Sequence, residues 1–144
     1  MKDLLLAAGH HLAAFTLVAA LGAQALLLRL PLRPDTLRLL ARTDLVYGVA
    51  AAAVLGLGGC RVMWDGTAKG AAFYAASPLF WAKLAVFAAV GLLSVFPTLR
   101  FRRWARQPQA IPPEQAASVR RCVMAELALL PLLPILAAAL ARSG

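Results

Sequence analysis

Apolar residues run from Leu4 to Leu28 without one formally charged side chain, and as a helix rising about 1.5 Å per residue this run crosses a hydrocarbon core of roughly 30 Å. Three more apolar runs follow, from Leu45 to Met63, Leu79 to Phe96 and Cys122 to Ala141. Each is long enough to span, the second provided that Arg61 lies at a boundary. The pattern predicts an all-α fold, an integral membrane four-helix bundle with spans at about 4–28, 45–63, 79–96 and 122–141. Four spans leave only short connections, so residues 1–144 read as a single transmembrane domain.

Composition supports a lipid environment, with 62% of residues hydrophobic, 15% charged and a mean hydropathy of +0.76. A soluble domain of this length needs more polar surface. A cleaved leader is the competing reading of the first run, since Lys2 precedes it and Ala23-Gln24-Ala25 resembles a cleavage site. The run is long for a leader, and Arg29, Arg33, Arg38 and Arg42 directly behind it oppose translocation of that end.

The net charge of +9 acquires meaning from its distribution. Those four arginines fill the first connection, and Arg100, Arg102, Arg103, Arg106, Arg120 and Arg121 fill the third. Only Lys2, Arg61, Lys69 and Arg142 fall on the other side. The positive-inside rule then places the first and third connections in the cytoplasm of a bacterial inner membrane, with both termini outside. The arginine clusters read as orientation signals and contacts with anionic lipids of the cytoplasmic leaflet. No groove-reading or aromatic-interleaved soluble face is visible, which argues against nucleic acid as a partner.

Local signals mark the helix ends. Ser77-Pro78 reads as an N-cap with proline at the first helical position, and Asp65-Gly66 as a turn bracketed by the interfacial aromatics Trp64, Tyr74 and Trp81. Pro34-Asp35 opens an amphipathic surface segment leading towards the second span, and Pro112-Pro113-Glu114 starts a helix running into the fourth. Pro131 and Pro134 bend that last span, and neighbouring helices have to satisfy the carbonyls they free.

The polar residues inside the spans form two layers. His10 and His11 lie about 9–11 Å below Leu4, Lys83 about 6 Å below Leu79, and Arg61 about one turn before Trp64, so three helices bring nitrogen-bearing side chains to one outer level. Successive helical positions differ by about 100°, so the two histidines point differently and one of them faces this layer. Lys83 and Arg61 are long enough to snorkel to the interface, whereas an imidazole at that depth is either hydrogen-bonded to a neighbouring carbonyl or engaged with a ligand. The inner layer holds Gln24, Asp44, Tyr47 and Glu126, the last with Arg42, Arg121 or Tyr47 as available partners. Glu126 serves there either as a structural pin or as the end of a proton relay from the outer layer.

Several chemistries are excluded by the motifs. There is no Walker loop, nucleophile elbow or His-Glu-x-x-His signature. Gly56, Gly58 and Gly59 read as a surface for close helix packing. Cys60 and Cys122 belong to opposite ends of their spans, so neither a disulfide nor shared metal ligation joins them within one chain. A zinc or copper site using His10 or His11 would have to be assembled across helices.

The run Leu6-Ala7-Ala8-Gly9-His10-His11-Leu12-Ala13-Ala14-Phe15, the segment Arg42-Thr43-Asp44-Leu45-Val46-Tyr47-Gly48, and Ala71-Ala72-Phe73-Tyr74 with Phe80-Trp81-Ala82-Lys83-Leu84 resemble a bacterial membrane family of unknown function, DUF2214. The likeness covers essentially the whole chain and implies architecture more than activity. More remotely, a histidine in the first span and Lys83-Leu84 early in the third are similar to HemJ-type protoporphyrinogen oxidases, which are also four-helix membrane proteins. That resemblance implies a tetrapyrrole site, with His10 or His11 as the metal ligand of a haem b and Lys83 in a catalytic role. Lys83 and Arg61 then suit the propionates, and a planar apolar ring suits a gap between helices. Two other readings stand beside a haem-binding porphyrin oxidoreductase. One is a non-enzymatic bundle that packs as a homo-oligomer or supports a partner; the other is a small proton-coupled transporter using Glu126 and the histidines.

Overall fold

The computed structural model describes residues 2–63, 70–107 and 111–142, with the side chains of Lys2 and Asp3 left aside. The elements are helices α1 (Lys2–Leu27), α2 (Pro34–Met63), α3 (Gly70–Ala76), α4 (Pro78–Arg106), α5 (Pro113–Leu129) and α6 (Leu132–Arg142), with no strand among the described residues. Four stretches are long and apolar enough to cross a membrane: Leu4–Leu27, Pro34–Met63, Pro78–Arg106 and Pro113–Arg142.

Three of these exceed the boundaries that hydropathy suggests, the last by starting at Pro113, as its proline pair predicts. The amphipathic segment opened by Pro34 leads into the second span as a single helix, because Leu37, Leu40, Asp44, Tyr47 and Ala50 recur at three- and four-residue spacing and form one buried stripe. Likewise α4 runs past Phe96 to Arg106, burying Phe101 and Trp104 beyond the purely apolar stretch. It does so through Pro97, which withholds a donor from the carbonyl of Leu93. Of the two prolines in the last span, Pro131 marks a break, since α5 stops at Leu129 and α6 resumes at Leu132, whereas Pro134 lies within the first turn of α6.

At the start of α4, Pro78 occupies the first turn and Ser77 has extended backbone angles, yet Ser77 makes no side-chain capping bond. Its carbonyl accepts from the Trp81 amide instead, and the Trp81 indole donates to the carbonyl of Ala75 at 2.9 Å. Phe73, Tyr74, Phe80 and Trp81 stack in sequence and tie α3 to α4. The expected turn at Asp65-Gly66 and the anchor Trp64 lie outside the described residues.

The helices pack in a ring, α1 against α2, α2 against α4, α4 against α5 and α5 against α1, while α6 packs on α4. The core sits at the end where the arginine-bearing connections lie. Leu28, Leu37, Leu40, Phe101, Val119 and Val123 are all essentially sealed there, and Arg120 donates to the carbonyl of Leu28 at 2.6 Å, tying α5 to the end of α1. We call this the arginine-rich end.

Towards the opposite end α1 and α2 approach closely through glycine. A Cβ on Gly9 would stand 3.2 Å from Leu57 Cδ1, and one on Gly58 would stand 3.1 Å from His10 Cε1. Gly56 and Gly59 face open space, so of the three glycines clustered in α2 only Gly58 serves the packing. Replacement of Gly58 by Val is expected to cost about 1–3 kcal/mol by forcing α1 and α2 apart. Gly56→Val should leave stability nearly unchanged, and thermal unfolding of both variants in detergent checks the contrast.

Candidate functional site

The two polar layers lie at opposite ends of the bundle. In the outer one, α1 turns His10 towards α2, where its Nδ1 lies 3.1 Å from the carbonyl oxygen of Val54. A carbonyl only accepts, so this bond assigns the proton to Nδ1 and leaves Nε2 with its lone pair. Gly58 provides the room for the ring. His11 is exposed on the outer face of α1, its ring edge-on to that of His10 at 6.0 Å between centroids. Arg61 and Lys83 are half-buried and within electrostatic reach of His10. His10, Arg61 and Lys83 therefore share one neighbourhood, and His11 points away from it.

A tetrapyrrole there needs a cavity as well as donors. The two cavities described, of about 310 and 210 Å³, are lined by other residues, with His10, His11, Arg61 and Lys83 on neither wall. Nor do three His, Cys, Asp or Glu side chains gather as a metal-holding group among the described residues. His10 is the one imidazole turned into this neighbourhood, and neither of the two cavities reaches it.

The inner layer is connected throughout. Gln24, Asp44, Tyr47 and Glu126 are 2%, 4%, 4% and 1% exposed. The Gln24 amide donates to Asp44 Oδ1 at 3.4 Å, and the Thr98 hydroxyl donates to the same oxygen at 2.9 Å. The Tyr47 hydroxyl donates to Glu126 Oε2 at 2.9 Å. These bonds join α1 to α2, α4 to α2 and, across the centre of the ring, α2 to α5. Of the three partners open to Glu126, Tyr47 is the one it uses; Arg42 is exposed and Arg121 donates to Ser118 at 3.2 Å. Glu126 Oε1 is buried with no hydrogen-bond partner among the described residues. Buried polar atoms are ordinarily paired, which sets this oxygen apart from the others in the layer.

Thr98 is the member that hydropathy did not reveal. A lone threonine one residue after a proline reads as an ordinary helix position, and only the register of α4 against α2 brings it to Asp44. The 310 Å³ cavity adjoins this layer between α2 and α4, with Asp44, Tyr47, Ser94 and Thr98 on its polar side and Arg102 at its arginine-rich end.

Along α1 no chain of side-chain hydrogen bonds among the described residues joins the two layers. Gln24 and His10 are fourteen residues, or about 21 Å, apart along α1. Thr16, the one hydroxyl between them on that helix, donates to the carbonyl of Leu12 in its own helix.

The arrangement is that of a polytopic membrane bundle with a buried acidic layer at one end. The chain belongs to the family of predicted membrane proteins designated DUF2214, whose model matches residues 2–144. No curated protein and no solved structure matches the chain. The likeness to HemJ-type oxidases thus rests on the two sequence positions alone.

The Tyr47–Glu126 bond gives a stability test. Tyr47→Phe should cost about 1–3 kcal/mol, because it strips a buried carboxyl of its remaining donor. Combining it with Glu126→Leu, which removes the stranded group, should cost less than the sum of the single changes by more than about 0.5 kcal/mol. A double-mutant cycle by unfolding in mixed micelles reads this coupling.

Proposed function

We propose that the protein is a non-enzymatic membrane bundle whose inner layer takes up and releases a proton at Glu126 from the arginine-rich side. The observation that carries this reading is the buried, unpartnered Glu126 Oε1. A carboxyl group inside a membrane that no arginine neutralises is expensive to keep, and such groups mark sites of function. Here Oε1 is the atom free to gain or lose a proton, while the Tyr47 hydroxyl keeps its own proton and donates to Oε2. Asp44 on α2 is the neighbouring acid, held by Gln24 of α1 and Thr98 of α4, and Arg102 of α4 is the cation within electrostatic reach of Asp44.

The apolar gap of about 21 Å between the layers favours exchange from one side over passage through the bundle. That separates this reading from a proton-coupled transporter, which needs access to its site from both faces in turn. Infrared difference spectra of the protein in lipid, recorded as pH is stepped, should show a carboxylic C=O band that appears and vanishes and is missing in Glu126→Gln. Spectra of the wild type and Glu126→Gln that coincide throughout the folded range would overturn the proposal.

Orientation in a bacterial inner membrane follows from charge. Ten arginines at one end set the cytoplasmic face, leaving both termini outside. An alkaline phosphatase fused after Gly144 should then be active and a green fluorescent protein fused there dark. The reverse pair of results would invert the topology and move the proton entry to the outer face.

A further inference from the structure

The cavity of about 310 Å³ between α2 and α4 is a groove with a graded wall. Phe87 and Ala52 line it towards the membrane interior, Val49 and Gly91 lie midway, and Thr98 and Arg102 end it. From Phe87 to Arg102 is fifteen residues, about 22 Å of helix, which exceeds half of a hydrocarbon core of roughly 30 Å. Its lining is mainly apolar along this length, and its polar atoms gather near the arginine-rich end.

Of the charged residues lining the groove, the exposed one is a cation. Arg102 is exposed, whereas the neighbouring Asp44 is buried and occupied by Thr98 and Gln24. Arg42 is exposed on α2 and precedes Leu45 and Val49 by three and seven residues, which puts it on the helix face that lines the groove, one turn beyond Leu45. Arg102 thus lines the groove's end, the register of α2 places Arg42 on the facing side one turn beyond Leu45, and a guanidinium suits a phosphate through paired N–H donors. Gly48 and Gly91 keep the groove open: a Cβ on either would meet nothing within 4 Å.

We infer that this groove is a specific site for one acyl chain of an anionic phospholipid, whose phosphate is held between Arg42 and Arg102. The occupant is amphiphilic because the groove is apolar along the chain and cationic only at its mouth. It is a lipid of the leaflet at the arginine-rich end because the groove opens at the level of that interface. The inference is independent of proton exchange at Glu126, which does not line the groove.

Native mass spectrometry of the detergent-purified protein tests it, with dioleoyl phosphatidylglycerol and dioleoyl phosphatidylcholine added separately at one fixed pH. The wild type should retain one phosphatidylglycerol in preference to phosphatidylcholine. Arg42→Gln and Arg102→Gln should each reduce that preference about fivefold, the contribution expected of one basic residue at an anionic lipid. Gly91→Leu places a side chain in open space, so it fills the groove without forcing the helices apart, and retention of both lipids should fall. Arg106→Gln, outside the groove, should change nothing. Equal retention of the two lipids by the wild type, undiminished retention by Gly91→Leu, or a loss in Arg106→Gln matching that in Arg102→Gln would each overturn the site. The last result would assign the preference to diffuse charge at that end.

Discussion

Two carboxyl groups, Asp44 and Glu126, have to be accommodated where neither water nor lipid can solvate them, and the arrangement of the helices answers that constraint. Lipid offers no hydrogen bonds, so every partner must come from the protein. Asp44 takes its donors from α1 and α4, and Glu126 takes its donor from α2 across the middle of the ring. A rotation of any one helix by a single residue, about 100°, would remove its contribution to the layer. Apolar contacts between helices in a bilayer discriminate poorly among such rotations, because lipid tails are as apolar as the side chains they replace. The polar layer therefore sets rotation and register, and the sealed core of Leu28, Leu37, Leu40, Phe101, Val119 and Val123 closes around it.

The same logic explains the difference between the ends. Around the acidic layer, large side chains interlock and Arg120 ties α5 to the last turn of α1. Around His10 the closeness of α1 and α2 depends on the absence of side chains at Gly9 and Gly58, and the imidazole reaches the Val54 carbonyl through that gap. A carbonyl accepting from an imidazole in addition to its helical donor is a modest clamp. Deleting it leaves His10 half-buried beside two cations, whereas deleting a donor in the acidic layer strands a sealed carboxyl group.

Much of this was legible before the fold was known, for identifiable reasons. Length and hydropathy locate four spans, because the bilayer imposes a minimum run of apolar residues. The prolines at 78, 113 and 131 mark helix ends or breaks, because a missing backbone donor acts locally. Gln24, Asp44, Tyr47 and Glu126 stand out as polar residues within or bordering spans. Pairing does not read out in this way. The choice of Tyr47 over Arg42 or Arg121, the recruitment of Thr98 and the direction of His10 depend on rotation and register between helices distant in sequence. Hydropathy also ended the second and third spans at their charged flanks, although α2 and α4 continue as helix where those flanks pack on the core. The haem reading rests on donor chemistry at matching depth, and depth alone fixes neither the direction of a side chain nor a space between helices.

One feature of the acidic layer links it to the membrane around it. Thr98 donates to Asp44 and also lines the groove between α2 and α4, so the hydroxyl that satisfies a buried acid is part of the wall that meets lipid. Tyr47 has the same double position, bonded to Glu126 on one side and lining the groove on the other. Each of the two buried acids therefore has one partner on the groove wall, Thr98 for Asp44 and Tyr47 for Glu126. Tyr47 is thus the side chain at which the proton exchange proposed for Glu126 and the lipid site proposed for the groove meet, and any coupling between the two would be reciprocal. Such an exchange needs no passage across the apolar gap towards His10, and everything it uses lies at the arginine-rich end.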